Sequence, residues 1–568
     1  MPEIEETSAQ GAEGRPVTDP EGAHASAKIV SDLRDIFKRA GEHSPVGRMQ
    51  VRYEHPVLVL SMRQSTALEK EQERKRERKK RAQRRLKEGA EDFEQAGKHG
   101  CAASGEEALR PSEGVQAAES APTKTAQIYC SPEYYQGLKK NGEKGLLFQI
   151  GRVLDIPGIE DLTILPDIHM GKVFPVGMAC NFNARDPRCV VVPELIGFDV
   201  NCGVRIWRTN IKRSWLTPKI VKKIIDLAEL RIGINNRRKA SDMDAKQVIM
   251  KGLPYLIERG IATERDACET ESGGALPVYE SASILSARVL SKVLSQMGTL
   301  GEGNHYAEIQ SVTEVFDKKT ADMLNLSLGD VCVSVHTGSR GVGSVAVSDF
   351  LGEYIKKNGL DPHDTVSMPA SSEDAREYFN LVNGCSNFAF CNRTVIGHEI
   401  FGILHECLSD KMEIPLIMEV VSDSAHNMMR REGAGGESLR VRKGSTRILP
   451  YNTRERDRGS VCVVSVGGSM TTGSYILKAG KHAEKAGYAT CHGSGRVLSR
   501  AECRSTISQE EAEKTISDAD VQIKAKKISM VEESSRAYKC IDKVVDYCEE
   551  SGISQKVCRL CPFATMKG

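Results

Sequence analysis

Gly197-Phe198-Asp199-Val200-Asn201-Cys202-Gly203-Val204-Arg205 holds a carboxylate and a thiol three residues apart in a short, glycine-bounded turn. A hard oxygen beside a soft sulfur suits Mn²⁺ or Zn²⁺ better than Mg²⁺ or Ca²⁺. On an extended strand, positions i and i+3 point to opposite faces, so the two side chains meet only if the chain turns between them. Asn201 and Gly203 supply that turn chemistry. Alone, these residues also describe a buried cysteine and a turn-capping aspartate, so the reading depends on the rest of the chain.

Three histidines occupy comparable settings. Gly298-Thr299-Leu300-Gly301-Glu302-Gly303-Asn304-His305 is a glycine-rich loop ending on Asn-His. Val331-Cys332-Val333-Ser334-Val335-His336 alternates like a strand, with valines on one face and Cys332, Ser334 and His336 on the other. The third setting is Asp423-Ser424-Ala425-His426-Asn427. A lone histidine is more often a satisfied core residue than a ligand. Three at loop or strand ends, each within two residues of Gly, Asn or Ser, point to a metal site. His398 and His405 flank an apolar helical run at a spacing that lacks metal-binding geometry, and read as packing residues.

Thr490-Cys491-His492-Gly493-Ser494-Gly495-Arg496 sets an imidazole in a Gly-Ser-Gly loop followed by arginine. Such a loop can bring backbone amides against a phosphate while the arginine neutralises it. His492 could be a ligand, a general base, a covalent nucleophile or a solvated surface imidazole. The residues of this loop do not choose among these.

Together with Pro166–Lys172, 387–393 (NFAFCNR), 442–447 (RKGSTR), 467–470 (GGSM) and the end Met566-Lys567-Gly568, these segments resemble, in order, the RtcB family of GTP- and manganese-dependent RNA ligases. The resemblance covers roughly residues 126–568, with a short strand near 47–60. It implies one large α/β (α+β) catalytic domain. Asp199 and His305 would hold one Mn²⁺, and His336 and His426 a second, with Cys202 bridging both. His492 would accept GMP covalently from GTP. Asn304, His305, Glu308, His426, Asn427, Gly467, Gly468, Ser469, Met470, Ser474, Gly493, Ser494, Gly495, Tyr538 and Lys567 match positions around the guanine nucleotide, with Glu308 and Lys567 reading the base. The implied reaction joins an RNA ending in a 2′,3′-cyclic phosphate or 3′-phosphate to one beginning with a 5′-hydroxyl, in tRNA splicing and RNA repair. The resemblance also suggests an archease-type activator and a complex with a DEAD-box helicase. The chain departs from the family pattern at Val192–Gly197, at Ser344 and at Val441, none of them an expected metal ligand or nucleophile.

A hydrophobic fraction of 40% and 17 cysteines without a regular framework suit a reduced, intracellular globular protein. Cys558-Arg559-Leu560-Cys561 has no second pair nearby, so core or surface packing is a better reading than zinc. No apolar run is long enough to suggest a membrane span. The acidic start MPEIEETSAQ lacks the order of a signal peptide. The expected organisation is a polar, loosely ordered tail over 1–43, a first piece of the catalytic domain over 44–65, a charged low-complexity and disordered insertion over 66–125, and the main catalytic domain over 126–568. From Lys70 to Lys87 eleven Lys/Arg face three Glu, in a chain whose net charge is only +2. The run reads as a solvated segment, a nuclear localisation signal or an RNA tether, and the expected location is cytoplasmic and/or nuclear. The rest of the chain is therefore net negative, so any RNA grip must be local, through Arg205, Arg340, Arg393, Arg447, Arg496 and Arg500.

Two other functions fit parts of the pattern. A metal-dependent phosphoesterase would use the same ligands, and a non-catalytic RNA-binding subunit would use none. A hydrolase needs neither a GMP acceptor nor a guanine reader, and a scaffold needs no ligand set.

Overall fold

The computed structural model describes residues 32–36, 38, 49–54, 57–63, 123–130, 145–233, 242–433, 435–450 and 462–568. Two large, mainly antiparallel sheets organise it. The first has the order β1 (Met49–Glu54), β2 (Val57–Arg63), β3 (Thr123–Ile128), β4 (Ile159–His169), β5 (Val176–Asn183), β13 (Ser438–Lys443), β12 (Asn427–Glu432). The second has the order β11 (Met418–Ala425), β7 (Gly203–Lys212), β9 (Asp330–Thr337), β8 (Tyr306–Val315), β19 (Ser554–Lys567), β16 (Ser474–Ala479), β15 (Val463–Val466), and β18 (Gln522–Lys524) joins β19 in parallel. Two ribbons, β6 (Val190–Val191) with β10 (Met368–Pro369) and β14 (Ser445–Arg447) with β17 (Ala489–Cys491), complete the sheets. Mixed helices and sheets match the α/β (α+β) fold class that the sequence led us to expect.

Local patterns explain the elements. β9 has the expected alternation: Val331, Val333 and Val335 enter one core cluster and Cys332 another. Both its faces are buried, so the alternation separates two interior faces rather than core from solvent. Thr217 caps the helix Pro218–Ile232, whose Pro218 sits at the first position where no N–H is needed. That helix buries Val221, Ile224, Ile225, Ala228 and Ile232, a 3.6-residue stripe. The helix Ile541–Glu550 buries Ile541, Val544, Val545 and Cys548, and Gly552 just beyond it takes a φ of +73°, where a side chain would strain the backbone. His398 and His405 lie exposed on the 36-residue helix Glu373–Leu408, clear of any metal cluster. Cys558 and Cys561 lie on β19, where their spacing sends them to opposite faces; Cys558 is core.

Leu33 and Ile36, inside the stretch expected to be a polar tail, belong to the largest core cluster. β3 begins at Thr123, within the 66–125 segment, and pairs with β2. The Lys70–Lys87 charge run lies outside the described residues.

The register of the second sheet positions the site. Gly203 pairs with Thr337 on β9 and with Ala425 on β11, while Tyr306 pairs with His336. Cys202, His305, His336 and His426 therefore lie within one residue of the same end of four adjacent strands.

Candidate active site

Asn201 adopts φ +54°, and the backbone N–H of Cys202 donates to the carbonyl of Asp199 at 3.3 Å, so the turn forms as its residues suggest. Two triads result, Asp199–Cys202–His305 and Cys202–His336–His426, each with its donor atoms within 4.8 Å of one another. Cys202 belongs to both. Its Sγ is 3.4 Å from Nε2 of His305 and 3.2 Å from Nε2 of His336. Nε2 of His305 is 3.0 Å from Oδ2 of Asp199, and Nε2 of His336 is 3.2 Å from Nε2 of His426. All five expected ligands thus converge. The donor set of thiolate, three imidazoles and one carboxylate fits two divalent ions sharing a sulfur. His336 is oriented through Nδ1, 3.0 Å from the carbonyl of Asn304, which leaves Nε2 for a metal.

Electrostatics without an ion are consistent with this role. Burial, then the neighbouring imidazoles, pushes His336 and His426 well below the usual histidine range, so both are neutral and able to ligate. Burial and the nearby Asp199 push the Cys202 thiol well above its usual value. A cation at the site would reverse that preference. Desolvation raises Asp199, but His305 and Cys202 outweigh it and hold the carboxylate at about 2.

Arg393 holds the ligand turn in place. Its Nη1 donates to the carbonyls of Asn201 and Thr337, each at 2.9 Å, its Nη2 to Oδ1 of Asn201 at 2.8 Å and its Nε to Oδ1 of Asp423 at 2.8 Å. One guanidinium thus ties the Asp199–Cys202 turn to the ends of β9 and β11. Arg205 meets the other oxygen of Asp423 at 3.1 Å. Both arginines are fully buried and so cannot grip RNA, which corrects the expectation for them. Arg340, Arg447, Arg496 and Arg500 keep some exposure.

His492 lies beside the second triad, its ring centroid 4.8 Å from that of His426. Oδ2 of Asp167 accepts from its backbone N–H at 3.0 Å and lies 2.6 Å from its Nδ1. Nδ1 is therefore engaged and Nε2 is the nitrogen left for chemistry. His169 stacks at 6.3 Å, and burial drops it to about 4, so it stays neutral. Gly495 has φ +72° and packs where a Cβ would collide with the Asp167 carbonyl. Gly338 likewise leaves no room for a Cβ against Asp199.

Hydrogen bonds and a backbone bridge place most of the remaining expected residues. Gly467 bridges Gly493, and its carbonyl accepts from the backbone N–H of Ser494 at 3.1 Å. Ser469 is tied to Thr472, and Met470 is buried. Asn427 contacts the Asp199 carbonyl through Nδ2, at 3.3 Å. Gln310 donates to Glu308 at 2.8 Å and to Ser474 at 3.0 Å. Burial lifts Glu308 to about 7, against the pull of Lys567. Glu533 accepts from Tyr538 and Arg496 and lies 3.7 Å from Nζ of Lys567; these cations outweigh its burial and hold it ionised. Asp167, His169, Gln310 and Glu533 were missed in the sequence as site residues. Asp167 and His169 had a signal, since they lie in the Pro166–Lys172 motif; Glu533 sits in an ordinary helical stretch without one.

A family model described as tRNA-splicing ligase RtcB matches residues 149–568. The chain belongs to the RtcB family. It is similar to the tRNA-splicing ligase RtcB of Archaeoglobus fulgidus, 34% identical over 78% of this chain and 94% of that protein. The tRNA-splicing ligase RtcB of Thermococcus kodakarensis is 32% identical over 78% and 94%. The RNA-splicing ligase RtcB homolog 1 of Entamoeba histolytica is 29% identical over 78% and 89%. The matched range contains both triads, Asp167, His492, Glu308 and Lys567.

Proposed function

We propose that this chain is an RNA ligase that joins an RNA 2′,3′-cyclic phosphate or 3′-phosphate end to a 5′-hydroxyl end through a covalent histidine–GMP. The observation that carries this is His492, held through Nδ1 by Asp167 beside two triads that share Cys202. Asp199, Cys202 and His305 would hold one manganese ion and Cys202, His336 and His426 the other, supplying positive charge at phosphorus during in-line displacement. Nε2 of His492 attacks the α-phosphorus of GTP. The new N–P bond replaces the bond to the bridging oxygen, and pyrophosphate leaves. Asp167 stabilises the positive charge that develops on the ring. Water first opens a 2′,3′-cyclic end, breaking the 2′-O–P bond to leave a 3′-phosphate and a free 2′-hydroxyl; an oxygen of the 3′-phosphate then takes GMP from His492 as the N–P bond breaks. The incoming 5′-hydroxyl attacks the activated 3′-phosphorus, loses its proton and expels GMP. Glu308 accepts from guanine N1–H and N2–H₂, a donor pair adenine lacks, and Lys567 closes the same side.

A metal-dependent phosphoesterase would leave His492–Asp167 and Glu308–Lys567 without a task, and a scaffold would leave the triads without one. We also propose cleaved RNA, including tRNA exon halves, as substrate, an archease-type activator and a DEAD-box helicase as partners, and a cytoplasmic and/or nuclear location. Incubation with α-labelled GTP and Mn²⁺, followed by a denaturing gel, tests the central step. Label retained by the protein and lost in acid supports it; absence of label overturns it.

A further inference from the structure

A cluster of arginines lies beyond the site on β12, β13 and β14. Arg430 Nε and Arg447 Nη1 donate to Oε1 of Glu432 at 2.8 and 2.9 Å, and Arg440 Nε to Oε2 at 3.2 Å. Burial pushes Glu432 up, but the arginines outweigh it and hold it at about 2. The three arginine side chains remain 23 to 27% exposed. Neighbouring Arg442 pairs with Glu271, and Asp161 faces Arg440 from β4. Glu271 also acts on Arg430 and Arg447, so four guanidiniums face the three carboxylates Glu432, Glu271 and Asp161, and the one uncompensated positive charge is what an added anion would meet.

An aromatic residue adjoins the cluster. Arg440 Nη1 donates to the carbonyl of Gly487 at 3.2 Å, and the next residue, Tyr488, is exposed with φ +56°. That backbone region is costly for a residue with a bulky side chain, and glycine would occupy it without strain. Tyr488 is 36% exposed, so part of it reaches solvent beside the cluster. Tyr488 immediately precedes β17 and is four residues from His492, at most about 13 Å of extended chain.

We propose that Arg430, Arg440 and Arg447 with Tyr488 form the docking strip for the single-stranded RNA end delivered to His492. The guanidiniums take backbone phosphates and Tyr488 stacks on a base, the combination that single-stranded nucleic acid selects. The proposal rests on the RNA-ligase reading above.

The test uses the full chain and a short single-stranded RNA with a 3′-phosphate, with binding followed by fluorescence anisotropy over a range of salt. Tyr488→Gly should weaken binding about tenfold, leave the salt slope unchanged and keep or raise Tm. Arg440→Gln should weaken binding and reduce the salt slope by about 0.7. Labelling by α-labelled GTP should be unchanged in both. If both variants bind with wild-type affinity and slope while the wild type binds, the strip is wrong. If the wild type itself binds no RNA, the functional reading fails and the strip with it. If Tyr488→Gly lowers Tm and Arg440→Gln leaves affinity and slope unaltered, the cluster is structural and the proposal is overturned.

Discussion

The carboxylate of Asp167 grips His492 twice through one oxygen, at its backbone N–H and at ring Nδ1, across 325 residues of chain. The contact fixes which imidazole nitrogen faces the ligand triads. It also fixes the ring's rotation, because the backbone bond and the side-chain bond share an acceptor.

His492→Ala should abolish GMP labelling while manganese binding persists, since His492 belongs to neither triad. Asp167→Asn should retain His492 but lower the labelling rate by roughly 10²-fold or more, because the carboxylate no longer stabilises the charged ring. Rapid-quench labelling with manganese analysis on the same samples checks both. Equal labelling in His492→Ala would remove it as the acceptor.

Cys202→Ser substitutes a neutral hydroxyl for the one donor shared by both triads. Manganese content should fall and both labelling and ligation should be lost. Metal analysis after gel filtration reads this directly, and unaltered stoichiometry would mean that the bridge lies elsewhere.

Glu308 gives a pH dependence. Its carboxyl is raised from the ordinary 4.5 to about 7 by burial. A raised folded-state value stabilises the fold fully below 4.5, and this contribution is lost as pH rises toward 7. Glu308→Gln should therefore narrow the decline in nucleotide-free stability across that window, as measured by urea unfolding at several pH values. Accepting guanine N–H groups requires the ionised carboxylate, so GTP affinity should rise as pH passes through 7 in the wild type and stay flat in Glu308→Gln.

Arg393→Ala should destabilise the fold by about 3–5 kcal/mol, because it removes the donor to Oδ1 of Asp423 and to two backbone carbonyls in the interior, while Arg205 still covers only Oδ2. Arg393→Lys keeps the charge but cannot span the same partners, so its manganese affinity should fall more than its thermal stability. Urea unfolding and metal titration separate these effects.

Deleting residues 66–122 spares β3, which pairs with β2. Labelling by GTP should survive this deletion. If the Lys70–Lys87 run tethers RNA, affinity should drop and its salt dependence should flatten by about 0.7 for each phosphate that the run had neutralised. If it directs localisation, RNA affinity should match that of the full chain and a tagged deletion should redistribute in cells.

Sequence alone determined the features whose physics is local. The alternation in β9, the stripe of the helix Ile541–Glu550 and the Asn201 turn are set by neighbours a few residues apart, so their periodicity and turn chemistry can be read directly. The five side chains of the two triads and His492 were legible as candidates because each sits in a glycine- or asparagine-punctuated motif that family resemblance could match. Only the tertiary structure decided what pairs with what. Arg205 and Arg393 looked like RNA-binding cations, yet Asp423, 218 and 30 residues away, draws both into the interior, where a buried charge survives only with such a partner. Asp167 had a motif but no role until β4 brought it to His492. The convergence of Cys202, His305, His336 and His426 depends on the register of β11, β7, β9 and β8, which long-range backbone pairing sets and no local pattern encodes.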